Sequence, residues 1–212
     1  MNGCKAAFAA FLNGLGLPEP DAVLARFEQY HALLLAKNRQ LNLFSRATAD
    51  EELWTKHFLD SLVPLKCIDF KGKKVLDFGS GGGLPGIPLK LAVPDCRMTL
   101  LDSVHKKAAA LQEMVAQLDL TGCEVVCGRL EDYGAGHGFD LILCRAVRLE
   151  ERYLRHLFRL LASSGRMLFY KAQELEDIAP YAPGLLYQED FDYGSRAIYA
   201  LGRMQLKRRQ DV

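Results

Sequence analysis

The chain has 212 residues, enough for one α/β domain with a short extension, and its apolar and charged fractions of 50% and 25% are those of an ordinary globular protein. A formal net charge of +1 excludes attraction of nucleic acid by the molecule as a whole, so any RNA contact must come from local clusters of Lys and Arg. No apolar stretch approaches the length of a membrane span, and the first residues do not resemble a secretion signal, so we expect a cytoplasmic protein.

The N-terminal part of the chain predicts a small helical extension. Apolar residues recur every three or four positions from Leu24 to Leu35, after two prolines that suit a helix start. Thr48 and Glu51 have the spacing of a capping box, which predicts a second helix from Thr48. We therefore divide the chain into a helical cap, residues 1–65, and a second domain, residues 66–212.

From residue 73 onward, short apolar runs alternate with helical patterns. The predicted strands are 73–78, 97–101, 123–127, 139–144 and 166–170. The clearest helix covers 104–118, with Ser103 placed to cap it. Two further strands, 185–188 and 196–201, predict a terminal hairpin. This order predicts a mostly parallel, Rossmann-like α/β sheet with helices on both faces.

The most informative segment is VLDFGSGGGLPGIPL, residues 75–89, in which a strand runs into a glycine-rich loop. Gly79, Gly81 and Gly83 let the backbone turn tightly and approach a ligand. Asp102 ends the next strand, 25 residues after Asp77, where a carboxylate can accept hydrogen bonds from both ribose hydroxyls of a nucleoside cofactor. The two signals together predict a nucleoside cofactor site.

A nicotinamide-dependent oxidoreductase is the alternative, because Gly81, Gly83 and Gly86 also satisfy the dinucleotide pattern G-x-G-x-x-G. Asp77 argues against it, since a carboxylate before the loop would oppose a pyrophosphate and suit the cationic amino-acid end of S-adenosylmethionine. The predicted terminal hairpin also favours a methyltransferase.

Two later strand ends add candidate site residues. Leu130 and Glu131 follow the third strand, where they could contact an adenine, although such residues are more often solvated loop. Arg145 stands at the tip of the fourth strand, where this fold places ligands, and is the candidate to donate to a substrate base or to line the cofactor. Cys144 could be a nucleophile, but it continues an apolar run and is better explained as core.

Other polar clusters permit more than one interpretation. His57, Asp60 and Ser61 have the residue types of a hydrolase triad, yet the chain lacks G-x-S-x-G, so helix packing or a cofactor lid is the better explanation. Basic residues that could contact phosphates, or simply be solvated, are Lys37, Arg39, Arg46, Arg148, Arg152, Arg155, Arg159, Lys171, Arg203, Lys207, Arg208 and Arg209.

Five segments in order resemble the 16S ribosomal RNA guanine-N7 methyltransferases, also called the glucose-inhibited division protein B family. They are QLNLFS (40–45), KHFLDSL (56–62), the glycine loop (75–89), LLDSVHKK (100–107) and CRAV (144–147). The resemblance implies a helical cap on a seven-stranded methyltransferase core with an antiparallel last strand. It also implies that five residues match cofactor-binding positions: Gly79, Leu84, Leu130, Glu131 and Arg145. Arg148, Phe44 and Ser45 depart from the family's pattern.

The implied function is methyl transfer from S-adenosylmethionine to N7 of a guanine in small-subunit ribosomal RNA, by a protein we expect to be monomeric. N7 carries a lone pair and no proton, so positioning and electrostatics can supply most of the rate. We assign Arg145 as the catalytic candidate, and His57, Arg148 and Lys171 as candidates for substrate binding. A ribosome-associated binding protein without turnover is the non-catalytic alternative.

Overall fold

The computed structural model describes residues 3–45, 47–134, 138–172 and 175–203. The N-terminal part begins with α1 (Gly3–Gly14) and α2 (Pro20–Asn38). They are followed by an irregular helix, which comprises residues 50–66. It consists of a 3₁₀ turn (Asp50–Glu52), a π-helical stretch (Leu53–Leu59), one α-helical turn α3 (Asp60–Leu62) and a second 3₁₀ turn (Val63–Lys66).

Strands and helices then alternate through the rest of the chain. The elements in order are β1 (Lys74–Phe78), α4 (Gly86–Ala92), β2 (Arg97–Asp102), α5 (His105–Gln117), β3 (Cys123–Cys127), a 3₁₀ turn (Leu130–Asp132), β4 (Phe139–Cys144), α6 (Glu151–Leu160), β5 (Leu161–Lys171), a 3₁₀ turn (Ala179–Tyr181), β6 (Gly184–Phe191) and β7 (Gly194–Gly202).

These strands form one seven-stranded sheet in the order β3-β2-β1-β4-β5-β7-β6. The first five are parallel to one another, and β7 runs antiparallel to both of its neighbours. The strand order reverses between β1 and β4, and ligands bind at such a crevice in open α/β sheets. The predicted sheet and terminal hairpin are confirmed.

Both predicted helix caps are wrong. The irregular helix begins at Asp50, two residues later than expected, and it is the Ala49 amide that donates to Glu52 Oε2, at 3.1 Å. Helix α5 begins at His105, and the Val104 amide donates to a carboxylate oxygen of Asp102 rather than to Ser103. The residues in the two N-cap positions are Ala49 and Val104, so neither the Thr48 nor the Ser103 hydroxyl caps its helix.

The N-terminal helices share a hydrophobic core with one face of the sheet. Phe8, Phe27 and Phe58 belong to the same buried cluster as Val75 of β1 and Ile87 of α4. A second buried cluster covers the other face, between α6 and the central strands. The boundary that we predicted between residues 65 and 66 falls inside the last 3₁₀ turn of the irregular helix. Division at this point remains a prediction.

Candidate functional site

The glycine loop after β1 contains left-handed backbone at three glycines, Gly79, Gly81 and Gly83. Gly79 and Gly83 have φ values of +76° and +89°. A Cβ on Gly79 would lie 2.8 Å from Val147 Cγ2, and a Cβ on Gly83 would lie 2.4 Å from Ile87 Cδ1. Both positions therefore require glycine for conformation and for space.

The N-terminal helices hold this loop from the side. The Tyr30 hydroxyl, fully buried on α2, donates to the Gly82 carbonyl at 2.7 Å. A Cβ on Gly82 would lie 2.9 Å from Leu34 Cδ1 and 3.3 Å from Leu43 Cβ. The helical layer thus contributes directly to the position of the loop, a role that its amphipathic pattern alone did not indicate.

A cavity of about 500 Å³ opens at the carboxyl ends of β1, β2 and β3. Four of the predicted cofactor residues line it: Gly79, Asp102, Leu130 and Glu131. The other lining residues are Phe78, Leu101, Ser103, Lys107, Gly128, Arg129, Arg152 and Tyr153. The cavity wall therefore combines apolar side chains, the carboxylates of Asp102 and Glu131, and the exposed backbone of Gly79. A nucleoside site requires such a mostly apolar wall with a few polar groups.

Asp102 connects the loop after β1 to the start of α5. Its Oδ2 accepts from the Gly81 amide and its Oδ1 from the Val104 amide, both at 2.8 Å. Only 6% of Asp102 is exposed. Each carboxylate oxygen has a second lone pair, so the group can hold the loop and still accept from hydroxyls in the cavity.

Asp77 lies beneath the glycine loop and contacts the start of α4. Its carboxylate is buried, it is absent from the described lining of the cavity, and its Oδ2 accepts from the Gly86 amide at 3.0 Å. Burial raises the pKa of Asp77 to about 7. Asp77 thus makes a structural contact with the first turn of α4, and its contact with a cationic ligand group remains a prediction.

The other loop residues also act through the backbone. Gly81 donates its amide to Asp102, and the Leu84 amide donates to the Ser80 carbonyl at 3.1 Å. Gly81, Gly83 and Leu84 are not among the described residues that line the 500 Å³ cavity. In this structure they shape the loop, and Gly79 is the loop residue that reaches the cavity.

Arg145 is bound to the irregular helix. It pairs with Asp60 at 2.9 Å and donates to Ser61 Oγ at 2.8 Å and to the Lys56 carbonyl at 2.9 Å. Its side chain is 13% exposed, and it is not among the described residues that line the 500 Å³ cavity. In this structure the contacts of Arg145 are those of a positioning residue, and its role in catalysis or cofactor binding remains a prediction.

His57 and its neighbours form part of the same contact. Its Nδ1 accepts from Arg145 Nη2 at 3.3 Å, and burial together with that cation lowers its pKa to about 4. Ser61 Oγ donates to the His57 carbonyl at 2.5 Å, while the second oxygen of Asp60 pairs with Arg196 Nε at 2.7 Å. These bonds exclude a hydrolase triad and leave His57 neutral at pH 7.

A second cavity, of about 280 Å³, lies at the carboxyl ends of β4 and β5. Its lining residues are Cys144, Ala146, Val147, Arg148, Tyr170, Lys171, Glu176 and Asp177. Two of the three predicted substrate residues, Arg148 and Lys171, lie here, and neither His57 nor Arg145 is among the described lining residues. Val147 lines this cavity and also packs against Gly79, which lines the larger one, so the two cavities adjoin.

Cys144 lies between the sheet and this second cavity. It is 4% exposed, and burial raises its thiol pKa far above the ordinary value. A thiol held protonated is a poor nucleophile, which supports the core interpretation. Within the described residues, no group of three or more His, Cys, Asp or Glu side chains could hold a metal ion.

The sequence pattern missed two residues that line the larger cavity. Tyr153, near the start of α6, contacts the Phe78 ring edge to face at a centroid distance of 5.3 Å. Arg152 lies over the Tyr153 ring at 4.6 Å and donates to its hydroxyl at 2.9 Å. Their position after the fourth strand was visible in the sequence, but we assigned Arg152 only to a basic stripe and did not single out Tyr153.

That basic stripe is partly neutralised. Arg152 pairs with Glu150 at 2.9 Å, and Arg155 with Glu151 at 3.7 Å. Four of the predicted phosphate-contact residues lie outside the described residues: Arg46, Lys207, Arg208 and Arg209. Among the helices in the described part of the chain, none has the length and apolar character needed to cross a bilayer.

A family model and individual sequences of known proteins match this chain, and all carry the same family name. The family model described as rRNA small subunit methyltransferase G matches residues 23–182. A protein of that name from Sorangium cellulosum is 38% identical over 175 residues, covering 80% of this chain and 73% of the relative. One from Syntrophus aciditrophicus is 36% identical, covering 74% and 69%.

Solved structures share the fold at low sequence identity. A precorrin-6y C5,15-methyltransferase from Geobacter metallireducens superposes with a TM-score of 0.55 at 11% identity, covering 78% of this chain and 96% of the other. A SAM-dependent methyltransferase from Aquifex aeolicus gives 0.51 at 16% identity, covering 61% and 82%. At this identity the likeness concerns the fold alone.

Proposed function

Since the chain belongs to the rRNA small subunit methyltransferase G family, we propose that it transfers a methyl group from S-adenosylmethionine to N7 of a guanine in 16S ribosomal RNA. The observation that carries this proposal is the pair of adjoining cavities at the strand-order reversal, one suited to a nucleoside cofactor and one to an acceptor. The reaction would take place on the small ribosomal subunit or its RNA, in the cytoplasm.

The larger cavity fits the cofactor. Asp102 can accept from the ribose hydroxyls, and Leu130 and Glu131 line the cavity where an adenine edge could be read. Gly79 offers backbone without a side chain, so a ligand can approach closely. When bound, S-adenosylmethionine supplies a sulfonium methyl that a purine N7 lone pair can attack without a general base.

The smaller cavity is the proposed site of the acceptor base. Arg148 and Lys171 bring positive charge to its lining, which favours an approaching RNA strand. Arg145 contributes indirectly, because its bonds to the irregular helix fix the tip of β4 on which this cavity is built. His57, held neutral, supports Arg145 and supplies no proton at pH 7.

The oxidoreductase alternative has no support from the family, which is one of rRNA methyltransferases. A binding protein without turnover differs from the proposal only in its activity. The monomeric state remains an expectation.

The test is to incubate the purified protein with labelled S-adenosylmethionine and small subunits that lack the modification, then to map N7-methylguanine by chemical cleavage of the RNA. We expect one cleavage site in 16S RNA. Label in the RNA without N7 cleavage would contradict the assignment of the atom. Binding of the cofactor without transfer would favour the non-catalytic alternative.

A further inference from the structure

The wall of the second cavity contains a partly buried ion pair that the cofactor chemistry does not use. Lys171 Nζ lies 2.6 Å from Asp177 Oδ1, and the two side chains are 16% and 8% exposed. The other oxygen of Asp177 accepts from the Leu149 amide at 3.0 Å. Burying two charges is costly and often gives no net stability, so a pair in the wall of a cavity needs a reason beyond the fold.

The Asp177 carboxylate is fixed in place by both neighbouring segments. Lys171 ends β5, and Leu149 lies between β4 and α6, so the carboxylate joins the two segments that form the cavity. Ile178, next in the chain, is fully buried in the hydrophobic cluster under α6. Burial opposes ionisation of Asp177, but the Leu149 amide and Lys171 outweigh it and hold its pKa below the ordinary value. The Asp177 carboxylate is therefore ionised at pH 7 and held by two partners.

The backbone of the cavity is also specialised. Ala146, at the tip of β4, has φ of +55°, a conformation that costs a non-glycine residue free energy and that clusters at functional sites. At about 280 Å³ the cavity is close to the smallest ligand pockets, which start at about 300 Å³. This size suits one flat heterocycle better than an extended ligand.

We propose that Asp177 and Lys171 form the base-reading wall of the acceptor pocket, where the carboxylate accepts from guanine N1–H and the N2 amine while the ammonium donates to O6. This inference rests on the proposed function. Methylation at N7 leaves the O6, N1 and N2 edge free for recognition, and enzymes that act on an extruded base read that edge by hydrogen bonds. Adenine presents an amine where guanine has O6 and lacks both N1–H and the N2 amine, so this wall rejects adenine.

The lone pairs and protons suffice for this arrangement. Each Asp177 oxygen uses one lone pair, on Lys171 or on Leu149, and keeps one for the base. Lys171 donates one of its three protons to Asp177 and has others for O6. Val147 stands between this pocket and Gly79, so a base held against Asp177 and Lys171 lies beside the cofactor cavity.

The experiment compares methyl transfer to reconstituted small subunits that carry either guanine or inosine at the target position. Inosine retains O6 and N1–H and lacks only the N2 amine. The proteins are the natural sequence, Asp177→Asn, and the control Glu28→Gln, which removes one carboxylate charge from the Lys5–Glu28 pair, away from both cavities. The readout is the ratio of kcat/KM on guanine to kcat/KM on inosine for each protein, because this ratio does not depend on the active fraction.

We expect the natural sequence and Glu28→Gln to prefer guanine by about tenfold or more, the cost of leaving a buried polar group without its partner. Asp177→Asn should be slower on guanine and lose most of the preference, with its affinity for S-adenosylmethionine unchanged within twofold.

Equal use of the two bases by the natural sequence would overturn the proposal, whatever the variant does. An undiminished preference in Asp177→Asn would also overturn it, because the pair would then have only a structural role. If the natural sequence transfers no methyl to either base, the proposed function itself has failed.

Discussion

At the residue scale, the candidate site depends on carboxylates with different tasks. Asp102 lines the cofactor cavity, Asp77 is buried beside the first turn of α4, and Asp177 lies in the wall of the second cavity. All three follow or end strands of the parallel sheet, yet only their surroundings decide which one can meet a ligand. The hydrogen-bond partners therefore carry more information than the residue type.

Replacing Asp102 should weaken cofactor binding. We expect Asp102→Ala to reduce the affinity for S-adenosylmethionine by about 1–3 kcal/mol, because it removes charge-assisted hydrogen bonds to the ribose and releases the Gly81 amide. Calorimetric titration measures this change. Asp95→Ala, a change at a largely exposed carboxylate outside the cavity lining, is the control. Unchanged affinity in Asp102→Ala would refute the placement of the ribose.

His57 should make stability depend on pH. Its folded pKa of about 4 lies below the ordinary 6.5, so between these values the unfolded chain binds more protons and the free energy of unfolding rises with pH. Lowering the pH from 6.5 to 4 should therefore destabilise the natural sequence more than His57→Gln. Urea unfolding at several pH values measures the free energy of unfolding of both proteins. Asp77, whose raised pKa has the opposite effect on the pH dependence, is present in both, so its contribution cancels in the comparison. Parallel curves for the two proteins would contradict the assignment.

At the element scale, the irregular helix is the part of the fold that the site depends on most. Its π-helical stretch ends beside Asp60, whose two oxygens pair with Arg145 of the β4 tip and Arg196 of β7. Short π-helical segments are rare and frequently occur at functional sites. One buried carboxylate thus ties the N-terminal layer to two strands of the sheet.

Removal of this carboxylate should be strongly destabilising. Asp60→Ala leaves the buried charges of Arg145 and Arg196 without their partner, and we expect a loss of about 3–5 kcal/mol in the free energy of unfolding. The control is Glu151→Gln, which breaks the exposed pair with Arg155 and should cost at most about 0.5 kcal/mol. Chemical denaturation of both variants tests this, and similar losses would contradict the role given to Asp60.

At the scale of the whole molecule, the helical layer and the sheet share one buried core. Tyr30 holds Gly82, and Arg26 of α2 donates to the Leu118 carbonyl at 2.8 Å, just beyond the end of α5. Phe8, Phe27 and Phe58 pack edge to face or tilted against one another in the same core, with Phe8–Phe27 ring centroids 4.7 Å apart and Phe27–Phe58 centroids 5.4 Å apart. Such an interface does not resemble the polar contact between independent domains.

A fragment that starts at residue 66 should therefore not fold cooperatively, because the face of the sheet that α1, α2 and the irregular helix cover would be exposed to water. We expect the fragment to show no sharp thermal transition by circular dichroism under conditions where residues 1–212 unfold cooperatively. Sharp unfolding of the fragment would instead establish the predicted division at residue 65 as a true domain boundary.

Local sequence patterns were enough to predict the class of fold and the order of strands along the chain. They also selected four candidate cofactor residues that line the larger cavity, Gly79, Asp102, Leu130 and Glu131, whose role in binding remains a prediction. These follow from local rules, because alternating apolar runs, a glycine loop and a carboxylate at a strand end each act over a few neighbouring residues. Arg148 and Lys171 were likewise assigned by position, and both line the second cavity.

Only the tertiary structure, in contrast, shows in which direction a charged side chain points and which groups it contacts. The sequence suggested that Asp77 and Arg145 belong to the site. In the structure, Asp77 accepts a hydrogen bond from the Gly86 amide, and Arg145 forms an ion pair with Asp60. The partnership of Asp177 with Lys171 and Leu149 likewise joins residues that only the folded chain brings together. A sequence pattern records neighbours along the chain, whereas burial, ion pairing and cavity walls depend on contacts between distant segments.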